Sequence, residues 1–373
     1  MGVVVMNLKQ ELIYVPGYEQ VVKFTEESVG LVAIIALHNT KLGPGIGGTR
    51  IYPYKTFDEA LTDVLRLSKS MTYKAGITQI GVGGSKSVII TDQKTPALLH
   101  AFGEAVNTFN GQYVCAEDIG CTPKDVEEIL KHTKYGCGVY NLRGSGNPAA
   151  FTAWGTLLAI QAVLQELDGS DSVEGKRIAI QGIGNVGQRL AESLFWRGAK
   201  LFISDIDSDV TKRYAHAYGA KIVSPEEILF VECDVLSPCA MGGIINTTSI
   251  PHLRCRAIAG AANNQLLHYT DADLLKEKGI LYAPDFLTNS GGLINVYHEI
   301  LLEGYNATKA RTMTNGIYAQ TLSIFELAQQ NNLSTHQAAI SLVDHRLEHG
   351  IGKPAEEFCF RFFNVSEEAK VID

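Results

Sequence analysis

Residues 176–205 read KRIAIQGIGNVGQRLAESLFWRGAKLFISD. Lys176 to Gln181 is a short β-branched run that predicts a buried strand. GIGNVG follows at once, and Val186, Leu190 and Leu194 then recur at helical spacing, with Gly198 placed to cap that helix. A second strand, Leu201 to Ser204, ends at Asp205. A lone G-x-G-x-x-G says little, but here a strand precedes it, a helix follows, and an acid closes the next strand. That sequence of elements is the physical logic of a dinucleotide site. Gly182 makes the tight turn, Gly184 admits a pyrophosphate to the backbone, and Gly187 lets helix and strand pack closely. Asn185 and Val186 open the helix, whose unpaired N–H groups attract the pyrophosphate. Asp205 would accept from a ribose hydroxyl and repel a phosphate there, which favours NAD over NADP. Lys212 and Arg213 lie nearby in sequence and leave the NADP alternative open. The plain structural reading is a glycine-rich turn with no ligand.

Working outward, strand-like runs recur at Val235, at 257–261 and at 280–282, the rhythm of a doubly wound parallel sheet. A chain of 373 residues exceeds one compact core and implies two domains. Residues 140–148, YNLRGSGNP, are rich in turn formers and mark the hinge. The expected fold is α/β, with an N-terminal α/β substrate domain over 1–143 and a Rossmann domain over 144–340, separated by a cleft. A helical C-terminal segment, 341–373, would pack back on the first domain. Within that first domain, residues 29–37 read as a strand and Thr56-Phe-Asp-Glu59 as a capping box. The helix it opens should end close to Lys74. Ser87 to Thr91 reads as another strand, and Thr122-Pro-Lys-Asp125 opens a further helix.

Composition narrows the function classes. The formal net charge of −8 argues against nucleic acid or an anionic membrane as the partner. Seven cysteines are an odd number with no C-x-x-C pair, so neither a disulfide framework nor a zinc knuckle is expected, and no metal site is read. The N-terminus lacks the pattern of a signal peptide, and no run reaches the length of a membrane span, so a cytoplasmic protein is expected.

Two lysines, Lys74 and Lys86, flank a stretch without acids, AGITQIGVGGS. Taken singly, Lys74 reads as a cation at a helix C-terminus and Lys86 as a side chain snorkelling from a strand edge. Their company changes that. Gly43-Pro-Gly-Ile-Gly-Gly-Thr-Arg50, Met71-Thr-Tyr-Lys74, Gly83-Gly-Ser-Lys86 and Ala116-Glu-Asp118 occur in this order. Gly144-Ser-Gly-Asn-Pro148, the GIGNVG loop, Gly260-Ala-Ala-Asn-Asn-Gln265 and Asn289-Ser-Gly-Gly-Leu293 follow. The set resembles the amino-acid dehydrogenase family of glutamate, leucine, phenylalanine and valine dehydrogenases over most of residues 30–345. It is most similar to the leucine branch and its phenylalanine and tryptophan relatives.

The resemblance implies NAD-dependent oxidative deamination of an L-amino acid to a 2-oxo acid and ammonia, by a homo-oligomer. It implies that Lys74 binds the substrate carboxylate, that Lys86 is the catalytic base toward water, and that Asp118 exchanges a proton with the substrate amine. A second ammonium nearby and partial burial should lower the Lys86 pKa. Gly47 and Gly48 would bring backbone to the carboxylate, with help from Asn264, while Thr152 and Asn263 would touch the nicotinamide end. The side-chain pocket would comprise Ile46, Met71, Ala116, Leu293 and Val296. None is charged, which disfavours glutamate. Ala116 points to leucine and other branched-chain substrates, while Leu293 also suits the aromatic relatives, so phenylalanine or tryptophan stays the alternative. A non-catalytic NAD-binding protein is the alternative of another class. Gln79 and Ser85 depart from the family pattern without removing a catalytic group.

Overall fold

Among the described residues, backbone hydrogen bonding forms two six-stranded sheets. The computed structural model describes residues 7–140, 144–354 and 358–360. One compact unit comprises Met1–Asn147, Val296–Ala307 and Arg346–Asp373, and the other comprises Pro148–Asn295 and Thr308–His345. Residues 296–307, placed with the dinucleotide domain on sequence, therefore group with the first unit. Residues 141–143 of the hinge reading, and 355–357 and 361–373 of the C-terminal segment, lie outside the described residues.

The first unit runs β1 (Lys9–Leu12), β2 (Gln20–Glu26), β3 (Leu31–Asn39), β4 (Gly45–Tyr52), α1 (Phe57–Thr78), β5 (Gly83–Ile90), α2 (Pro96–Asn107), β6 (Tyr113–Ala116) and α3 (Pro123–Ile129). Its sheet has the order β1-β2-β3-β5-β4-β6. The β1–β2, β2–β3 and β3–β5 pairs are antiparallel, and β4 is parallel to both β5 and β6. The strand expected from residue 29 begins at Leu31 because Gly30, at φ +70°, makes the hairpin turn before it.

Thr56 caps α1 by accepting from the Glu59 N–H at 3.1 Å. The Glu59 carboxylate reaches back one residue further than in a standard capping box, to the Lys55 N–H at 3.0 Å. The helix passes Lys74 and continues to Thr78, and residues 72–78 are all buried. Gln79 then ends it with an exposed side chain at φ +54°, ψ +35°, the left-handed cap conformation usually given to glycine. No basic residue occupies the last turn. The guanidinium of Arg346 supplies that charge, donating to the carbonyls of Gly76 and Ile77 at 2.9 and 2.8 Å.

Strand β5 is central and all but its last residue are buried, so it starts well before the run read on sequence. Side chains alternate along it. Ser87 and Ile89 face the core formed with α2 and α3, whereas Gly84, Lys86 and Val88 face α1.

The second unit runs α4 (Ala149–Asp168), β7 (Arg177–Gln181), α5 (Asn185–Phe195), β8 (Lys200–Ser204), α6 (Ser208–Tyr218), β9 (Lys221–Ile222), β10 (Cys233–Pro238), β11 (Cys255–Ile258), α7 (Asp271–Glu277), β12 (Leu281–Tyr282), α8 (Asp285–Thr288), α9 (Gly291–Tyr297), α10 (Ala307–Gln330) and α11 (Thr335–His349). The last residues of α9 and α11 fall in the first unit. The sheet order β12-β11-β10-β7-β8-β9 is parallel throughout. That is the doubly wound order, with β7 and β10 at the switch point where ligands bind in such folds. Among the described residues no helix is long and apolar enough to cross a membrane.

Gln79→Gly tests the end of α1. Relief of left-handed strain, partly offset by the greater freedom of the unfolded chain, should raise stability by about 0.5–1 kcal/mol. A higher urea midpoint at unchanged slope is the expected result; a lower midpoint contradicts it.

Candidate active site

Alternation along neighbouring strands gathers the first unit's chemistry on one face. In β4, Thr49 and Ile51 point to the α2–α3 side, where Thr49 meets Ser87 at 3.0 Å. Ile46, Gly48 and Arg50 therefore share the α1 side with Gly84 and Lys86. Gly48 pairs with Ala116 of β6, which adds Ala116 to the same face and brings Asp118 in just beyond the strand end. Lys74 and Lys86 are only 8% and 6% exposed.

Lys86 Nζ lies 3.1 Å from Asp118 Oδ1. The other carboxylate oxygen, Oδ2, accepts from Arg50 Nε at 2.8 Å. Arg50 Nη1 in turn donates to Asp63 Oδ2 of α1 at 2.8 Å, and the Tyr54 hydroxyl donates to that same oxygen at 2.6 Å. Burial alone would raise the Asp118 carboxyl, but Lys86 and Arg50 together outweigh it and hold the group below its ordinary value. Beside it, Glu117 is pushed up by burial and by the charges of Asp118 and Glu299. Glu299 is itself raised by burial, with a partial offset from the N–H donors of Ser145 and Gly138. Those two amides donate to it at 2.7 and 2.9 Å.

The glycines of these strands are packing requirements first. A β-carbon on Gly47 would lie 1.9 Å from the Ser85 carbonyl oxygen, and one on Gly48 would lie 2.3 Å from that of Glu117. On Gly84 it would lie 2.1 Å from the Thr72 amide nitrogen. A β-carbon on Gly45 would fall 2.7 Å from that of Ser85, so a small residue at 85 fits beside β4. Ala116 and Val296 stand 3.9 and 3.7 Å from where a β-carbon of Gly138 would be. Ile46 is buried and Met71 half-buried in the same unit, whereas Leu293 and Asn264 belong to the second.

In the second unit, Gly184 caps α5 with no side-chain hydrogen bond, and a β-carbon there would meet nothing within 4 Å. The first-turn amides of Asn185, Val186 and Gly187 thus face space that a phosphate group can fill. Gly182 (φ +98°) and Gly187 do the opposite work: β-carbons there would strike Ala240 at 2.5 Å and the Gly182 carbonyl oxygen at 2.0 Å. Asp205 is fixed beside the loop, accepting from the Ile183 N–H at 2.7 Å and from the Asp207 N–H at 2.9 Å. Asn289 Nδ2 donates to Asn263 Oδ1 at 2.9 Å. Thr152 packs so tightly on Gly292 that a β-carbon there would lie 2.6 Å from its hydroxyl. The residues present fit a nicotinamide dinucleotide: an open, uncapped helix start and a carboxylate pinned at the end of β8.

Four residues carry this geometry without having been given a role on sequence. Arg50 and Asn289 stood inside motifs that were read, whereas Asp63 and Glu299 had no local signal because their partners are distant in the chain.

Comparison with known proteins places these units. Residues 19–135 match the Glu/Leu/Phe/Val dehydrogenase dimerisation domain. Residues 144–212 and 203–343 match the Glutamate/Leucine/Phenylalanine/Valine dehydrogenase model. The chain is 44% identical over 335 residues to leucine dehydrogenase of Geobacillus stearothermophilus, covering 89% of this chain and 91% of that one. It is 45% identical over 334 residues to phenylalanine dehydrogenase of Lysinibacillus sphaericus, covering 87% of each. The crystal structure of L-tryptophan dehydrogenase from Nostoc punctiforme superposes with a TM-score of 0.77 at 41% identity, covering 90% of this chain and 97% of that one.

The lowered Asp118 carboxyl makes a stability prediction. Because the folded state binds that proton more weakly than the unfolded chain, the contribution is complete above the ordinary aspartate value, about 3.9, and is lost as pH falls through the lower folded value. Wild type should be more stable than Asp118→Asn at pH 7, by a margin that shrinks on acidification below about pH 4. A margin that is constant or growing in urea titrations over that range would contradict the assignment.

Proposed function

The chain belongs to the Glu/Leu/Phe/Val dehydrogenase family and is a nicotinamide-dependent amino-acid dehydrogenase; we propose that its substrate is a branched-chain L-amino acid, leucine foremost, with NAD as the acceptor. The observation that carries the reading is the buried Lys86–Asp118 pair at 3.1 Å, on the sheet face that α1 covers. Products are the 2-oxo acid and ammonia, and the reaction is reversible.

Lys74 supplies a point charge for the substrate carboxylate, with Asn264 assisting. Asp118, ionised, receives the proton that the substrate ammonium must lose. Lys86 takes a proton from the water that adds to the α-carbon, and Asp118 returns the proton it holds to the nitrogen as it departs as ammonia. When bound, a nicotinamide would supply the acceptor for the hydride of the α-carbon. Gly184, Asn185, Val186 and Gly187 would hold the pyrophosphate, Asp205 the ribose, and Thr152 and Asn263 the carboxamide end.

Identity to relatives does not separate leucine from phenylalanine, so the side-chain pocket has to. Ile46, Met71, Ala116, Leu293 and Val296 offer no charge to a second carboxylate, and the methyl of Ala116 takes space that a ring needs. Such a pocket discriminates by only about 1–3 kcal/mol, so valine and isoleucine should follow leucine. A cytoplasmic homo-oligomer completes the proposal.

NADH formation followed by its absorbance with a panel of L-amino acids tests the reading. Leucine, valine and isoleucine should exceed phenylalanine and tryptophan in kcat/KM, and Ala116→Gly should narrow that gap by about tenfold. Asp205→Ala should weaken NAD and improve NADP. Turnover of aromatic substrates alone would move the assignment to the aromatic branch, and no turnover at all would leave only nucleotide binding.

A further inference from the structure

Arg50 has no role in the reaction as described, yet it holds the acid–base carboxylate directly. Its guanidinium spends Nε on Asp118 Oδ2 and Nη1 on Asp63 Oδ2, both at 2.8 Å. The Tyr54 hydroxyl, 2.6 Å from the same Asp63 oxygen, holds that carboxylate in turn. Arg50 and Asp118 side chains are only 16% and 15% exposed, so water offers them little alternative. A planar fork with fixed donors can set the rotation of a carboxylate, which an ammonium cannot.

We propose that Arg50 is a positioning residue for Asp118, tying down Oδ2 so that Oδ1 is the oxygen that shares protons with Lys86 and the substrate amine, and that Asp63 and Tyr54 fix Arg50 for that task. The proposal rests on the reading of Asp118 as the proton acceptor. The step it serves is a proton transfer: an N–H bond of the substrate ammonium breaks and an O–H bond forms on Oδ1.

The backbone of Asp118 does not depend on Arg50. The Ile51 N–H donates to the Ile119 carbonyl at 2.9 Å, and the Cys121 N–H to that of Asp118 at 2.9 Å. Removing the guanidinium therefore frees the side chain while the turn stays in place. The charged and titratable groups around Asp118 are Lys86 from β5, Arg50 from β4 and Glu117 next in the chain, with Cys121 across the turn. Asp63 of α1 and Tyr54 stand behind Arg50.

This arrangement predicts opposite responses to two substitutions. Arg50→Met deletes one of the two cations that keep Asp118 ionised, so the acid limb of kcat/KM for deamination should move to higher pH. Asp63→Asn deletes the anion that shares Arg50, leaves Asp118 the undivided cation, and should move the limb to lower pH. Arg50→Met should also lower kcat about 10- to 100-fold, the scale of a misplaced catalytic group, with KM for the amino acid within about threefold. Arg50→Lys should restore the limb but not the full kcat, because charge returns without the fork. Wild-type kcat and limb in Arg50→Met, or limbs moving the same way in both variants, would overturn the proposal.

A carbon-13 NMR titration of the aspartate carboxyls, with Asp118 assigned through Asp118→Asn, decides the matter without turnover. Its midpoint should rise in Arg50→Met and fall in Asp63→Asn, and an unmoved midpoint in both would sink the idea. If wild type turns over no amino acid, the functional reading fails while the titration still judges Arg50. Should Arg50→Met not fold, Asp63→Asn should still move the limb to lower pH and Arg50→Lys should still lower kcat at an unmoved limb; an unmoved limb in the first or wild-type kcat in the second would overturn the proposal.

Discussion

The catalytic face depends on how closely α1 can lie on β5. Gly84 sets that distance, since any side chain there would run into the Thr72 amide, where a β-carbon would stand at 2.1 Å. With the helix this close, residues 72–78 are buried to the last turn. Lys74 on the helix and Lys86 on the strand are thereby taken out of bulk water together. A larger residue at 84 would push the helix away, and overpacking of this kind costs about 1–3 kcal/mol before any loss of function.

Two buried cations need compensation, and breaking a buried pair costs about 3–5 kcal/mol because the remaining charge is stranded. The fold meets this locally around Lys86. Lys86, Asp118, Arg50 and Asp63 form a chain in which basic and acidic side chains alternate, and Lys86 and Arg50 together hold the Asp118 carboxyl below its ordinary value. The end of α1 follows the same logic on a smaller scale. Its last carbonyls, buried and without a basic residue of their own, take the guanidinium of Arg346 from the far end of the chain.

Glycine serves two separate purposes in this protein. At Gly47, Gly48, Gly182 and Gly187 a β-carbon would strike neighbouring protein atoms, so these glycines let strands, turns and helices approach one another. At Gly184 a β-carbon would meet nothing, so there the missing side chain leaves room for a ligand. The motif G-x-G-x-x-G thus sets two glycines required by packing around one, Gly184, whose missing side chain leaves open space.

The strand, glycine turn, helix and acid of 177–205 were legible in the sequence because they are local: period, turn chemistry and capping lie within thirty residues. The same holds for Thr56 at the start of α1 and for the full capping box of Thr122 and Asp125. Gln79, an odd polar residue by pattern, stands exposed where α1 ends in a left-handed conformation, which no hydrophobic period reports. Motif order, too, singled out Lys74, Lys86 and Asp118. What the tertiary structure alone decided is which charge meets which. Arg50 joins Asp118, 68 residues away, to Asp63, 13 away, and Glu299 reaches Gly138 across 161 residues. The physical reason is that a buried charge is stabilised by whatever the folded sheet brings within about 3 Å, and sequence separation carries no record of that distance.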